Sequence, residues 1–351
     1  MHKQRMRYMD NLKVMLTCLV VAHHAGQAYG PSGGVWVVKE ADALPWLRIF
    51  FYVNASFMMG LYFFISGYFM VVSLEKKTTG RFIKDRLKRL GIPLLFFTFL
   101  VFLPFNYVVS GGEGNIFFVL ADTYLHQPPL ATGHLWFIAS LLLYTFLYLA
   151  IRRMVRPVPA RGFIFRPYYI AVYIFLLGLV TVFVRSYYPI DQWRTWLIPL
   201  EIAHVPQYLS LFLLGILFNQ FCWLEQLKLR YGFLVLIITA AIPVLPGTDL
   251  LDTTWIASFE ESGLCVGLSI ILLVIFRNYY NQESAITLSF SQNSYGIYLF
   301  HLLIVIALQQ LLVNWPAAAE FKFPLVVVLG VFVSFMLSRL LRKIPLVRRI
   351  I

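Results

Sequence analysis

Charge is scarce in this chain: only 13% of its 351 residues are Asp, Glu, Lys or Arg. A soluble domain of this length carries roughly twice that fraction, so the composition excludes an ordinary soluble protein. Cysteine is scarce too, and Cys18, Cys222 and Cys265 are too scattered for a disulfide framework or a metal cluster. We find no glycine-rich phosphate-binding loop. A small-residue cleavage site after a short apolar core is also missing, so we expect no cleaved signal peptide.

The chain is instead rich in apolar residues. Hydrophobic residues make up 60% of the chain, and the mean hydropathy is +0.75. We predict an all-α, polytopic membrane helix bundle of about ten transmembrane helices, each suited to crossing ~30 Å of hydrocarbon. The whole chain, residues 1–351, is expected to form a single integral-membrane domain. The predicted spans lie near 11–30, 46–73, 91–110, 134–151, 167–187, 203–221, 231–246, 258–276, 293–313 and 324–341.

The net charge of +13 is distributed unevenly between the predicted loops. With both termini in the cytoplasm, only five of the 29 Lys and Arg residues fall outside: Lys39, Arg48, Arg185, Arg194 and Lys322. This bias follows the positive-inside rule. The basic charge therefore indicates orientation and attraction to anionic lipid, and it does not indicate nucleic-acid binding.

The first predicted helix carries four ionisable groups: Asp10, Lys13, His23 and His24. Such groups are costly inside a membrane and by default mark function. Lys13 and His24 are eleven residues apart, which places them on nearly one helix face, about 16 Å apart along the axis. Asp10 lies close to that face, whereas His23 points away. The alternative is a lysine that reaches the headgroups and a histidine bonded to a neighbouring helix, and the residues alone leave both open.

Two further patterns suggest binding surfaces. The predicted cytoplasmic loop near 74–91 is strongly basic, and Arg86 and Arg89 share one face of a helix. Their guanidinium forks suit a polyphosphate, although a loop that only contacts lipid headgroups has the same composition. Of the eight tryptophans, only Trp223 lies on the predicted inner side. That skew fits a sugar-stacking outer mouth or an aromatic belt.

Six segments, in order along the chain, together resemble the acyltransferase-3 family of integral-membrane acyltransferases. They are Tyr8-Met-Asp10 with the Lys13 to His24 spacing, Phe63 to Phe69, Arg86-Leu-Lys-Arg89, His134-Leu-Trp136-Phe137, Ser294 to His301, and the basic tail with Pro345. The resemblance runs from residue 8 to the end of the sequence. Pro206-Gln-Tyr208, with Gly215 and Trp223, is similar to the branch that contains glucan biosynthesis protein C. Lys13 stands where many members have arginine, which keeps the charge but loses the bidentate fork.

The resemblance implies transfer of an acyl group, acetyl or succinyl, from cytoplasmic acyl-CoA to a hydroxyl of an extracytoplasmic or lipid-linked glycan. It also implies a multi-pass protein of the bacterial cytoplasmic membrane. A thioester is already activated, so we expect no metal and no tightly bound cofactor. The expected partners are acyl-CoA as co-substrate, a glycan or other hydroxyl acceptor, and the lipid bilayer. The competing class is a transporter or flippase for a lipid-linked or anionic solute.

His24 is the predicted catalytic imidazole, acting either as a base or as an acyl carrier. Asp10 and Lys13 are assigned to the inner end of the pore, with Lys13 also facing the donor. Arg86 and Arg89 are predicted to bind CoA phosphates. The remaining candidates are His301, which could equally be a satisfied interhelical partner, and the acceptor-side residues His134, Trp136 and Tyr298. We assign no role to His126 or His204.

Overall fold

The chain is described here by a computed structural model that covers residues 6–31, 36–40, 43–109, 112–126, 132–154, 163–195, 199–244 and 253–351. Helices dominate these residues, and the all-α polytopic bundle is confirmed. The exception is a small antiparallel hairpin of two strands, β1 (Trp193–Thr195) and β2 (Pro199–Glu201), in which Trp193 lies opposite Glu201.

Fourteen α-helices follow one another in the described residues. They are α1 (Arg7–Gly26), α2 (Leu47–Glu75), α3 (Thr79–Arg86), α4 (Ile92–Phe96), α5 (Leu103–Val109), α6 (Ile116–His126), α7 (Trp136–Met154), α8 (Tyr168–Tyr187), α9 (Val205–Gln220), α10 (Leu229–Ala241), α11 (Thr253–Tyr279), α12 (Ala285–Leu312), α13 (Ala319–Leu341) and α14 (Pro345–Arg348).

Seven helical segments of the described chain are long and apolar enough to cross a membrane: α2, α8, α11, α12 and α13, together with α7 and α9 and the short turns that precede them. The first helix, which carries Arg7, Asp10, Lys13 and two histidines, is not among them, and neither is α10, which has 13 residues. The total of ten spans therefore stays a prediction. Residue 110 and residues 245–246, at the ends of two predicted spans, lie outside the described residues.

The predicted third span, 91–110, is not one regular helix. Two π-helical turns, Leu87–Gly91 and Phe97–Phe102, interrupt the run from α3 to α5. Pro93 lies between them and has no backbone N–H to donate to a helical ladder. Turns of π-helix are frequent at functional sites. The first of these two, Leu87–Gly91, follows directly after Arg86.

The first helix lies inside the bundle, where it contacts α2, α11, α12 and α13. Many of its apolar side chains are buried, and Met9, Leu12 and Leu16 are completely so. Protein therefore surrounds most of α1 in place of lipid. This burial explains how a membrane helix accommodates an acid, a lysine and two histidines.

Glycine permits the closest helix contact in the bundle, between α2 and α9. A Cβ added to Gly67 would lie 2.0 Å from the carbonyl oxygen of Phe212, and one added to Gly215 would lie 2.0 Å from that of Phe64. The two backbones therefore touch directly, as small residues allow in membrane bundles. This crossing holds the aromatic side chains of α2 and α9 against each other, including Phe63 on Tyr208 with ring centroids 5.1 Å apart.

The segments predicted to be cytoplasmic meet at one end of the bundle. Asn11 of α1 donates to the carbonyl oxygens of Tyr280 and Gln282, and Tyr295 of α12 donates to the carbonyl oxygen of Arg89. At the other end, Lys322 of α13 pairs with Glu40 at 2.9 Å. Which side of the membrane each end faces stays a prediction from the charge bias.

Candidate active site

A cavity of about 960 Å³ opens at the end of the bundle predicted to be cytoplasmic. It is bounded by α1, α2, α3, the π-helical turn after α3, α7, α12 and the residues that follow α13. Two acids line it, Asp10 and Asp85. Eight cations line it as well: Lys13, Lys77, Arg86, Lys88, Arg89, Arg342, Arg348 and Arg349.

Both acids are already paired with lysines. The Nζ atom of Lys13 lies 3.1 Å from Asp10, and that of Lys77 lies 2.6 Å from Asp85. The hydrogen bond from Lys77 lowers the pKa of the Asp85 carboxyl. The other six cations make no ion pair with a described Asp or Glu side chain, and one of them, Arg342, donates to the main-chain oxygen of Ile351 at 3.0 Å. A cleft with so much unpaired charge of one sign concentrates anions.

Aromatic rings support the two predicted phosphate-binding arginines. The guanidinium of Arg86 lies 5.1 Å from the ring centroid of Phe82, and that of Arg89 lies 5.5 Å from that of Tyr295. Burial, together with the charge of Arg89, lowers the pKa of Arg86 to about 10, so Arg86 stays a cation at neutral pH. The structure thus places Arg86 and Arg89 in the wall of one cavity lined by cations.

Three aromatic side chains line the deep end of the cavity, Tyr62, Phe137 and Tyr298, which we call the aromatic layer. The Phe137 ring lies 5.6 Å from Tyr62 and 5.9 Å from Tyr298 between centroids. Tyr62 also donates to the carbonyl oxygen of Lys13 at 3.0 Å. His24 is not among the described residues that line the cavity, so the stripe from Lys13 to His24 is divided by this layer.

Three histidines from different parts of the chain meet directly beyond the aromatic layer. Ring centroids are 5.0 Å apart for His24 and His301, 4.5 Å for His134 and His301, and 6.3 Å for His24 and His134. His301 is completely buried, His134 is nearly so, and His24 is half-buried. Tyr298 joins this histidine cluster to the cavity, because its ring lies 4.9 Å from that of His134.

Hydrogen bonds assign a tautomer to His24. The Nδ1 atom of His301 lies 2.7 Å from the carbonyl oxygen of Tyr298, which can only accept, so Nδ1 carries the proton and Nε2 is an acceptor. The Nδ1 atom of His24 lies 2.9 Å from the carbonyl oxygen of Val20 and 3.2 Å from that Nε2 of His301. We therefore assign the proton of neutral His24 to Nδ1, shared between two acceptors. Its Nε2 bonds to no described residue and keeps its lone pair.

His134 is held through its backbone while its ring stays unengaged. The Tyr298 hydroxyl donates to the His134 carbonyl oxygen at 2.6 Å. Both ring nitrogens of His134 are buried and have no hydrogen-bond partner among the described residues. Since most buried polar atoms are bonded, an unengaged imidazole beside His24 is available to a bound molecule.

The segment at residues 36–40 covers the outer side of the cluster. The Trp36 ring lies 5.9 Å from that of His24, and its Nε1 donates to Gln309 at 2.8 Å. Gln309 in turn donates to the carbonyl oxygen of Ala25 at 2.9 Å. An aromatic face therefore lies directly beside His24 on the side away from the cavity.

The structure does not bring every predicted site residue together. His24, His134, Tyr298 and His301 form one cluster, whereas Asp10, Lys13, Arg86 and Arg89 line the cavity on the other side of the aromatic layer. Trp136, two residues after His134, stands apart. Its ring stacks on Tyr208 at 5.5 Å and lies 5.7 Å from Trp193.

Sequence reasoning missed a buried charge network at the other end of the bundle. His204 contacts Glu201 at 2.9 Å and Glu261 at 3.2 Å, and Arg185 contacts Glu261 at 2.7 Å. The His204 ring stacks on Tyr208, which stacks on Trp136. A signal existed, because Arg185 and Glu261 are ionisable residues inside predicted spans, the same criterion that singled out the first helix.

Comparison with known proteins places this chain among membrane acyltransferases. A family model described as an acyltransferase domain matches residues 6–343. Glucans biosynthesis protein C of Escherichia coli strain SMS-3-5 is 31% identical over 157 residues, and that of strain K12 is 30% identical over the same length. Each match covers 44% of this chain and 40% of the relative, well short of the relatives' full length. No solved structure matches the chain.

Proposed function

This chain belongs to the acyltransferase-3 family of integral-membrane acyltransferases, and from that premise we propose the reaction it performs. The enzyme moves an acetyl or succinyl group from cytoplasmic acyl-CoA to a hydroxyl of an extracytoplasmic or lipid-linked glycan. One observation carries the proposal. Six cations of the cavity pair with no described Asp or Glu side chain, and three histidines meet directly behind the aromatic layer. Such a cavity suits a donor with a polyanionic head and a reactive group on a long arm.

The donor would bind with its phosphates at the mouth. Arginine forks recognise phosphate oxygens in bidentate geometry, and Arg86 and Arg89 present two such forks in one wall. The slender arm of acyl-CoA would then run past Lys13 toward Tyr298 at the deep end. The aromatic layer must move aside for the thioester carbonyl to reach His24, because these side chains separate the two compartments.

His24 supplies the base in this mechanism. Its Nε2 lone pair takes the proton of the acceptor hydroxyl while the hydroxyl oxygen attacks the thioester carbonyl carbon. The tetrahedral intermediate collapses by breaking the carbon–sulfur bond, and the CoA thiolate receives the proton from His24. The carbonyl oxygen of Val20 and the Nε2 of His301 accept from Nδ1–H of His24 and stabilise the imidazolium formed between these steps.

A second route uses the same atom as a nucleophile. The Nε2 of His24 attacks the thioester carbonyl carbon, the carbon–sulfur bond breaks, and CoA leaves as its thiolate. The glycan hydroxyl then attacks the acyl carbon of the acyl-imidazolium, which breaks the carbon–nitrogen bond, restores neutral His24 and releases the hydroxyl proton to water. This route lets the donor leave before the acceptor arrives. Single-turnover labelling with radioactive acyl-CoA and no acceptor separates the two routes, because only the covalent route leaves label on the protein.

The acceptor would approach from the side opposite the cavity. Trp36 lies beside His24 there, and Trp136 lies beside Trp193, which is exposed. Aromatic faces suit sugar rings, and the relatives' name, glucans biosynthesis protein C, refers to glucans. We therefore propose a glucan-like glycan as the acceptor and the bacterial cytoplasmic membrane as the location.

Transfer in a defined membrane tests the proposal. Purified protein in lipid vesicles would receive labelled acetyl-CoA or succinyl-CoA on the face bearing the 960 Å³ cavity and a glucan oligosaccharide on the other face. We expect label in the oligosaccharide, detected by mass spectrometry. Transport of the oligosaccharide without acylation would instead support a carrier, and absence of both would refute the proposed reaction.

A further inference from the structure

We infer that the C-terminal tail, residues 342–351, forms the second half of the donor site and holds one of the phosphate groups of acyl-CoA. The inference rests on the proposed function. Three of its cations, Arg342, Arg348 and Arg349, line the same cavity as Arg86 and Arg89. Phosphate recognition would therefore be shared between two segments that are more than 250 residues apart in the sequence.

The tail is folded against the bundle. Arg342 donates through one guanidinium nitrogen to the carbonyl oxygen of Gln292 in α12 and, at 3.0 Å, to that of Ile351. The short helix α14 turns the chain between these anchors, and the amide of Ile351 donates to the carbonyl oxygen of Val347 at 3.0 Å. Ile351 itself is buried. These contacts fix Arg348 and Arg349 at the cavity instead of leaving them on a loose end.

The cations of the two segments lie close enough to repel each other. Burial, together with the charges of Arg348 and Arg89, lowers the pKa of Arg342. Neither Arg348 nor Arg349 pairs with an acid in the described chain, and the two acids of the cavity are already bonded to lysines. A group of like charges without partners is stabilised when a polyanion binds among them.

Two cationic centres match the phosphate groups of the proposed donor better than the Arg86 and Arg89 pair alone does. Coenzyme A carries two separate phosphate centres, a diphosphate and a 3′-phosphate on the ribose. Arg86 and Arg89 form one cationic centre, and the tail supplies a second. The family model ends at residue 343, so Arg348 and Arg349 lie beyond the matched region.

Binding of unacylated CoA to the purified full-length protein tests the inference without requiring catalysis. The probes are CoA and pantetheine, measured by titration calorimetry in nanodiscs of zwitterionic lipid. We expect the double variant Arg348→Ala/Arg349→Ala to raise the Kd for CoA about tenfold to a hundredfold, the effect of losing a charge-assisted hydrogen bond. Pantetheine, which lacks the nucleotide, should bind equally to both proteins.

Lys343→Ala is the matched control, because Lys343 belongs to the same tail, is exposed and does not line the cavity. Its Kd for CoA should equal that of the wild type. The variant Arg348→Lys/Arg349→Lys, which keeps the charge, should retain most of the affinity for CoA. It shows whether the alanine variant loses affinity through lost charge or through misfolding. If the double alanine variant binds CoA like Lys343→Ala, the inference is wrong while the donor site at Arg86 and Arg89 stands.

An anionic lipid headgroup offers the same phosphate chemistry. Repeating the titration in nanodiscs with phosphatidylglycerol distinguishes the two sources. If the alanine substitutions lower lipid binding and leave CoA binding unchanged, the tail is a lipid contact and the inference is overturned. If the wild-type protein binds no CoA in either lipid, both acyl-CoA as the donor and the phosphate-binding role of the tail are wrong.

Discussion

The two nitrogens of the His24 ring are in different situations. Nδ1 is engaged by Val20 and His301, whereas Nε2 is free of bonds to described residues. His23, its neighbour, has different partners: its Nδ1 lies 3.2 Å from the side-chain amide of Asn54, and its ring packs on Phe51 at 5.1 Å. The surroundings therefore favour Nε2 as the reactive nitrogen of the proposed mechanism, and the adjacent histidine provides a control.

Replacing His24 by Gln should reduce acyl transfer by about 10²–10⁴-fold, the usual contribution of a general base, and by more if the ring carries the acyl group. An amide keeps part of the hydrogen bonding but cannot take a proton at neutral pH. Initial rates with labelled acyl-CoA in vesicles measure the loss. His23→Gln is the control and should retain substantial activity. Near-normal transfer by His24→Gln would show that the ring only joins helices.

Arg86→Ala should raise the KM for acyl-CoA about tenfold to a hundredfold, because one charge-assisted hydrogen bond to phosphate is lost. Lys84 lies on the same helix, is exposed and does not line the cavity, so Lys84→Ala should leave the KM unchanged. Steady-state kinetics over a range of donor concentrations provide both values. Equal effects of the two substitutions would mean that the segment acts only as a diffuse positive surface.

Among the elements, α12 links the parts of the proposed site. Its Tyr295 bonds to the backbone of Arg89, its Tyr298 bonds to the backbone of His134, and its His301 bonds to His24. The three side chains are three residues apart, so they share one helix face. The sequence predicted that Tyr298 and His301 lie together for this reason.

Other relations between elements could not be read from the sequence. Periodicity shows which side chains share a helix face, but it does not show which helix packs against that face. The meeting of His134 with His301 and the network around His204 depend on such packing. The π-helical turns near Pro93 were also missed, because hydropathy measures only how apolar a segment is.

The contact between α2 and α9 should tolerate no added methyl group. Gly67→Ala brings a Cβ against the Phe212 carbonyl oxygen, so the helices must separate, and overpacking of this kind typically costs about 1–3 kcal/mol. We expect a lower Tm and a lower yield of folded protein in detergent. Gly80→Ala is the control, since its Cβ would meet nothing within 4 Å. Equal thermal stability of the two variants would contradict the close contact.

For the whole molecule, the orientation rests on the bias of basic residues. Cysteine labelling from outside intact cells tests it. The native Cys222 is exposed and must first be replaced by Ser, whereas Cys265 is buried. Asn115→Cys should then react with an impermeant thiol reagent, and Lys84→Cys should not. The reverse pattern would show that the protein has the opposite membrane orientation, with the 960 Å³ cavity outside the cytoplasm.

The aromatic layer of Tyr62, Phe137 and Tyr298 matters for the energy balance of the cell as well as for acyl transfer. An enzyme whose substrates meet from opposite sides of a membrane risks becoming a pore. Each proton that leaked through would dissipate about 2.3 kcal/mol at a membrane potential of 100 mV. Packed rings between the cavity and the histidines interrupt the aqueous path. Under the proposed function, acyl transfer across the membrane then proceeds without discharging the gradient that powers the cell.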